Sequence, residues 1–422
     1  MATSFTKEER IVFDDMVEGF EDQLSYARQA KIYEPLTPQE LVHTRDRMWI
    51  PSPMIGTSYD GFDQTANFDG ITEMAIPVSI GFHKATPKTM SPKNLRNTST
   101  LAMYADAAKE QMAVQVNMAL RNRVALEGSL FVKRTVAPTG YDDFAAAGAA
   151  MTRIGVGPRN RVAMVGVNTQ IPIVSNLASR SEDSARSRES YETGLIRRNI
   201  GGFDVYQDDQ AIILAAAAGG ATTVNGANQY LEPKGTYVEA DGEEVNQDNR
   251  YSNLVVTAAA YASIKPGDAF TIAGVNALHR ISKQDTGQLQ TFRVIGKPAA
   301  NTLRIAPAII SNGGNTIAGR EYQNVSATPA NGATVTWLNT VTAELNPFYR
   351  KDNLLLLPGS FVVDPQDGWN TLRATTPKLG IAIQYTRQGN INDLSVKFRW
   401  DIDFGTALTE PAAAGAMAFS QT

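Results

Sequence analysis

The sequence predicts an α+β protein with a small β-barrel inserted late in the chain, and three observations carry that reading. Residues 97–127 hold neither Gly nor Pro and set Leu101, Ala105, Ala108, Met112, Val116, Ala119 and Leu120 at helical spacing. Met74, Ile76, Val78, Ile80 and Phe82 alternate strictly with Ala75, Pro77, Ser79, Gly81 and His83, the period of a strand with one apolar face. After Leu214 the composition turns small and flexible in AAAAGGATTVNGAN, and short β-prone runs separated by Gly, Asn and Pro follow.

In chain order, residues 1–47 read as an N-terminal helical arm. Thr6 and Glu9 form a capping box, and Phe13, Met16, Val17, Phe20, Leu24 and Ala27 repeat at spacings of three and four, which predicts a helix over 6–33 ended by Pro35 and Pro38. Such a stripe is either packed on the chain's own core or docked on a neighbour. Residues 48–96 read as an extended hairpin. Met48, Trp49 and Ile50 start one side, a loop rich in Gly, Asp, Ser and Asn follows, and the alternating strand returns. Pro77 cannot donate to a ladder, so it belongs at an edge or beside a bulge. A long ribbon needs cover for its apolar face, from its own core or from an adjacent subunit.

Residues 97–128 form a spine helix of about 45 Å at 1.5 Å per residue. Residues 129–221 read as the first part of a mixed α/β domain, with RVAMVGV (161–167) as a buried strand. The stretch SRSEDSARSRES (179–190) reads as a surface loop, because Glu182, Asp183 and Glu189 cancel the field of its arginines. The barrel is assigned to 222–344, from NLVVTAA, KPGDAFTIAGV, LQTFRVIG, NTLRIAPAII and ATVTWLN. Residues 345–422 return to mixed structure, with LLLLPGSFVV, IAIQYTR and LSVKFRWDIDFG as strands, so the barrel interrupts a domain rather than following it.

Composition narrows the function. With 43% hydrophobic and 19% charged residues the 422-residue chain is globular and long enough for two or three structural units. A net charge of −4 gives its surface no general attraction for nucleic acid. There is no Cys, and His43, His83 and His279 stand apart, so thiolate sites and histidine-centred chemistry are not expected. MATSFTKEER has no apolar run, and no stretch approaches the ~18 apolar residues of a span, which predicts neither signal peptide nor membrane helix. GVGPRN (155–160) departs from phosphate-loop patterns at Pro158 and Asn160, and the paired carboxylates Asp14–Asp15 and Asp208–Asp209 are sequence neighbours that point apart. No catalytic, cofactor or metal site is expected. A β-rich carbohydrate-active enzyme would require a carboxylate pair across a cleft, which no motif indicates.

The order of elements, together with LRN leading into the long helix and EGSL (95–130), GLIRRNIGGFD (194–204) and DGEEVNQDNRYSNLVVT (241–257), resembles a known family over the whole chain. It is that of the major capsid proteins of tailed double-stranded DNA phages, in particular the coat proteins of short-tailed enterobacterial phages that carry an inserted barrel. The resemblance implies the tailed-phage capsid fold of N-arm, extended loop, spine helix, and peripheral and axial domains. It also implies a virion subunit that forms pentamers and hexamers in the host bacterial cytoplasm, with a scaffolding protein and a portal protein as partners, and that touches packaged double-stranded DNA non-specifically. A cellular nanocompartment shell would share the fold, and the inserted barrel argues against it. In the resembled family the loop matching Glu239, Asp241, Glu243 and Glu244 reaches a neighbouring capsomer. The family's basic cluster at the start of the spine is replaced here by Thr100, Leu101, Ala102 and Met103. The expected basic partner is therefore sought at Lys84, Lys88, Lys93 or Arg96.

Overall fold

The computed structural model describes residues 5, 7–33, 47–65, 67–68, 70–91, 93–94, 98–180, 197–239, 241–359, 361, 370–390 and 392–422. The chain divides into two compact units, one from Met1–Met48, Val78–Arg121 and Leu354–Ala407, the other from Trp49–Pro77, Asn122–Asn353 and Leu408–Thr422.

In the first unit a sheet runs in the order Lys31–Ile32, Leu354–Pro358, Val396–Leu408, Ala382–Gly389, Asn370–Thr375, and Ala75–Met90 also pairs with Val396–Leu408. Its core is aromatic: Trp400 lies 5.1 Å from Phe398 and 5.4 Å from Tyr385 between ring centroids. Tyr104 of the spine helix and Phe5 and Phe13 of the N-terminus pack on the same rings.

The N-terminal helix is shorter than its periodicity predicts. It covers Lys7–Phe20 and gives way to single turns of 3-10 helix at Glu21–Gln23 and Ala27–Gln29 and to the strand Lys31–Ile32. The break has a cause. Glu21 turns inward, where its carboxylate accepts the backbone N–H of Lys378 (2.8 Å) and Leu379 (2.9 Å), and Asn117 of the spine helix accepts from Tyr26 N and donates to Gln23 O. Phe13, Met16, Val17, Phe20, Leu24 and Ala27 are all buried. That corrects the docking-arm alternative, since this stripe is already covered. Thr6 of the expected capping box lies outside the described residues.

The spine helix, Thr98–Glu127, buries Ala105, Ala108, Met112, Val116 and Leu120 as the stripe requires, and Val124 and Ala125 beyond it. Leu101 and Ala119 are only half-buried. Gly128 ends the helix where any Cβ would stand 2.8 Å from the backbone of Ala414 and Gly415. The alternating strand runs Ala75–Met90, further than Phe82. Ile76 and Val78 are buried, Ile80 and Phe82 half-buried, and Met74 sits half-buried just before the strand. Phe82 stacks on Phe404 at 5.3 Å, and the register slips between Phe404 and Gly405, a bulge in the same strand as Pro77.

In the second unit a six-stranded sheet runs Leu130–Lys133, Ala414–Ala418, Asn346–Arg350, Arg161–Gly166, Phe203–Asp208, Arg197–Ile200. Arg161–Gly166 is buried at every residue. Phe144 of the helix Tyr141–Arg153 joins Phe203 and Phe348 in the core beneath.

The closed barrel orders Ser252–Ala258, Thr302–Ala306, Asp285–Ala299, Ala269–Leu278, Thr334–Trp337 and Thr222–Val224 around Phe270, Phe292, Ile272, Val294 and Leu254. Five of its strands fall on the five runs picked from the sequence. The sixth, Thr222–Val224, stands at the start of the assigned range, in the small and flexible stretch where no β-prone run was picked, and it forms because Val256–Ala258 and Thr334–Val335 flank it. Just outside the barrel, Ile213–Leu214 pairs with Ala343–Glu344.

Polar contacts join the barrel to the end of the spine helix. Thr291 Oγ1 donates to Ser129 O (2.8 Å), Tyr251 OH donates to Glu127 Oε2 (2.9 Å), and Arg293 Nη2 donates to Ala125 O. Arg293 is fully buried, with its guanidinium 5.2 Å from the Phe131 ring centroid. Burial pushes its pKa down to about 10, against the opposing charge of Asp268.

Candidate interaction surfaces

The acidic turn is the tip of a two-stranded ribbon, Thr236–Val238 paired with Glu244–Asn246. Glu239 N donates to Glu243 O (2.9 Å) and Gly242 N to Glu239 O (3.0 Å), with Gly242 at φ +89°, a conformation that only glycine adopts without strain. Asp241 Oδ1 accepts from Glu243 N (3.1 Å), Tyr237 OH donates to Glu239 (3.0 Å) and Thr236 Oγ1 to Glu244 (2.6 Å). Glu239, Asp241, Glu243 and Glu244 are all exposed, and among the described residues none of them makes an ion pair. Backbone and hydroxyl donors thus fix the turn while most of its carboxylate oxygens face outward.

Of the basic residues proposed as its counterpart, Lys84 and Lys88 lie on the strand Ala75–Met90, opposite Ile402 and Phe398. Lys84 is half-buried, Lys88 and Lys93 are exposed, and Arg96 lies outside the described residues. Among the described residues none of these lysines is paired with a carboxylate. The acidic turn belongs to the second unit and the three lysines to the first.

A further surface was not picked out from sequence. Between Pro51 and Ala75 the chain forms a loop that presents Met54 (56% exposed), Phe62 (fully exposed), Phe68 (87%) and Ile71 (78%) to solvent. It is nevertheless tied down. Ser52 N donates to Met74 O (2.8 Å) and Tyr322 OH to Thr72 O (3.2 Å), while Gln64 Nε2 closes a local turn on Gly61 O (2.6 Å). The signal available was the aromatic residue repeated in SYDGFDQTANFDG, where turn-rich loops otherwise carry polar side chains.

Among the described residues no group of three or more His, Cys, Asp or Glu is placed to hold a metal ion, and no helix is long and apolar enough to cross a membrane.

A family model described as P22 coat protein, gene protein 5, matches residues 1–419. Among solved structures, a CUS-3 coat protein I-domain is 38% identical, covering 28% of this chain and 96% of that one, with a TM-score of 0.23. A structure from Mycobacterium phage Che8 is 8% identical over 93% of this chain and 90% of that one, TM-score 0.44. The head structure of Helicobacter pylori bacteriophage KHP40 is 9% identical over 100% of this chain and 93% of that one, TM-score 0.42.

Proposed function

Because this chain belongs to the P22 coat protein family, we propose that it is the major shell subunit of a tailed phage, assembling into pentamers and hexamers of an icosahedral procapsid that comes to enclose double-stranded DNA. Coat proteins of this kind are structural, and the work of the molecule is association rather than catalysis.

The observation that carries the assembly reading is the loop between Pro51 and Ala75. Phe62, Phe68 and Ile71 are almost wholly exposed on a segment whose base is hydrogen-bonded in place. A monomer seldom leaves large apolar side chains so bare together, whereas covering three of them in a subunit contact would contribute about 1.5–3 kcal/mol each. Repeated around a shell, a modest contact of this kind suffices, because each subunit makes it and receives it. The unpaired acidic turn and the unpaired lysines fit as charged contacts between neighbouring subunits, with Glu239 and Asp241 meeting Lys84, Lys88, Lys93 or Arg96. The remaining partners in this reading are a scaffolding protein and a portal protein, with assembly in the bacterial cytoplasm.

Replacing Phe62 and Phe68 together by Ser tests the reading. The variant is expected to stay folded by circular dichroism and to sediment as monomer when mixed with a scaffolding protein, where the parent gives closed particles by electron microscopy. Closed particles from the double variant would reject the loop as a subunit contact. Closed particles of the parent without any scaffold would favour the nanocompartment reading instead.

A further inference from the structure

Within the second unit the barrel does not meet its surroundings flush. A cavity of about 150 Å³ lies between the barrel, the end of the helix Tyr141–Arg153 and the base of the strand that starts at Ala75. We propose that this cavity is a binding site for a small monocarboxylate with a compact apolar body of about the size of benzoate, its ring among Ile154, Leu278, Ile310 and Met74 and its carboxylate on Lys283.

Size and lining set the body of the ligand. Most of the wall is aliphatic, and an apolar cavity of about 150 Å³ accommodates a benzene ring. Charge sets its other end. Three cations line the cavity, and two are already satisfied: Arg280 pairs with Glu410 at 2.5 Å and Arg250 with Asp248 at 2.9 Å. Lys283 has no carboxylate at ion-pair distance among the described residues, and its Nζ donates to the carbonyl of Gln323 (3.1 Å). An ammonium has three donors, so two remain for an incoming carboxylate. The groups that face Lys283 are Arg280, Glu321, and His279 in the same turn, whose carbonyl accepts the Lys283 N–H; Arg250 and Glu410 lie further along the wall. Among the described residues Lys283 is thus the one cation lining the cavity without a carboxylate at ion-pair distance, Glu321 acting on it only from further off, and its free donors favour a monoanion over a neutral or cationic guest. Burial first, then Arg280, with Glu321 opposing, pushes the Lys283 pKa down to about 8. The anion site is therefore charged at neutral pH and fades as pH rises through that value.

Benzoate, with benzyl alcohol as its neutral counterpart, tests the site on the full chain by saturation-transfer NMR and thermal shift. Benzoate is expected to bind one per chain with Kd below about 1 mM and to raise Tm. Benzyl alcohol is expected to bind at least about tenfold more weakly, since it forgoes a charge-assisted hydrogen bond. Lys283→Gln should weaken benzoate about tenfold while leaving benzyl alcohol unchanged, and Leu278→Phe, which fills the chamber, should abolish both. If Leu278→Phe fails to fold, Ile154→Phe serves in its place. Failure of benzoate to saturate would overturn the proposal. Equal affinity for the alcohol, or unchanged benzoate binding in Lys283→Gln or in a folded filled variant, would overturn it as well.

Discussion

Burial and the neighbouring guanidinium of Arg280 hold Lys283 near pH 8 rather than at the usual lysine value, and the direction of that shift fixes its effect on folding. The unfolded chain keeps this proton at a higher pH than the folded chain does, so between about 8 and the ordinary lysine value of 10.4 it binds more protons, and stability contributed by this residue rises with pH. Below about pH 8 both states are charged, and the folded one carries the penalty of a desolvated ammonium. Lys283→Met is therefore expected to raise the denaturation midpoint at pH 7 and to flatten the climb of that midpoint between pH 8 and 10. A parental profile as flat as the variant's would contradict this. None of it was legible in the sequence. Lys283 stands in a plain RISKQDTG turn, and its surroundings come from Glu321 and Gln323, some forty residues away. Glu21 and Arg293 escaped notice for the same reason. A glutamate inside a helical pattern reads as a solvated face, and an arginine in TFRVIG as the polar side of a strand, until the partners at Leu379 and Ala125 are known.

The spine helix and five of the barrel strands were legible because periodicity is local, and a stripe or an alternation can be seen without knowing what covers it. The N-terminal helix was overrun because Leu24 and Ala27 keep helical spacing through turns that Glu21 and Asn117 reshape from afar. Its burial changes the outcome expected of truncation. Read as a free arm, residues 1–34 would be dispensable for folding; with Phe13, Met16, Phe20 and Leu24 buried in the first unit, their deletion is expected to leave that unit unfolded. Phe20→Ala alone should cost about 3–5 kcal/mol. Near-ultraviolet circular dichroism of the 35–422 chain, with a native aromatic signal retained, would restore the arm reading. The acidic ribbon behaves oppositely. Its four carboxylates are exposed, and exposed pairs contribute about 0–1 kcal/mol, so replacing Glu239 and Asp241 by Ala should leave the monomer melting temperature almost unchanged. Assembly products should nevertheless shift toward tubes or broken shells in electron micrographs. Parent-like particles at both low and high salt would reduce the turn to a solvated tip.

Six strands closed on themselves around Phe270, Phe292 and Leu254 leave the barrel no unpaired edge to protect, which favours independent folding of residues 222–344. Expressed alone, this segment is expected to melt cooperatively and to give dispersed amide resonances; a collapsed spectrum would tie its folding to the rest of the chain. The presence of a barrel was readable from the sequence, whereas the doorway through which the chain passes was not, because Leu214, Thr223, Thr334 and Ala343 carry no motif.

That doorway has a consequence for how such a protein could arise. Leu214 pairs with Ala343, and a few residues further on Thr223 pairs with Thr334, so the incoming and outgoing chains run side by side like the two legs of a hairpin. An ancestor holding only a tight turn at this place could have acquired the whole barrel in a single recombination, without rethreading any strand of its own. The same two legs offer a grafting point at which another domain with adjacent termini could replace the barrel. Such a graft would have to supply anew what Arg293, Thr291 and Tyr251 give to the last turn of the spine helix.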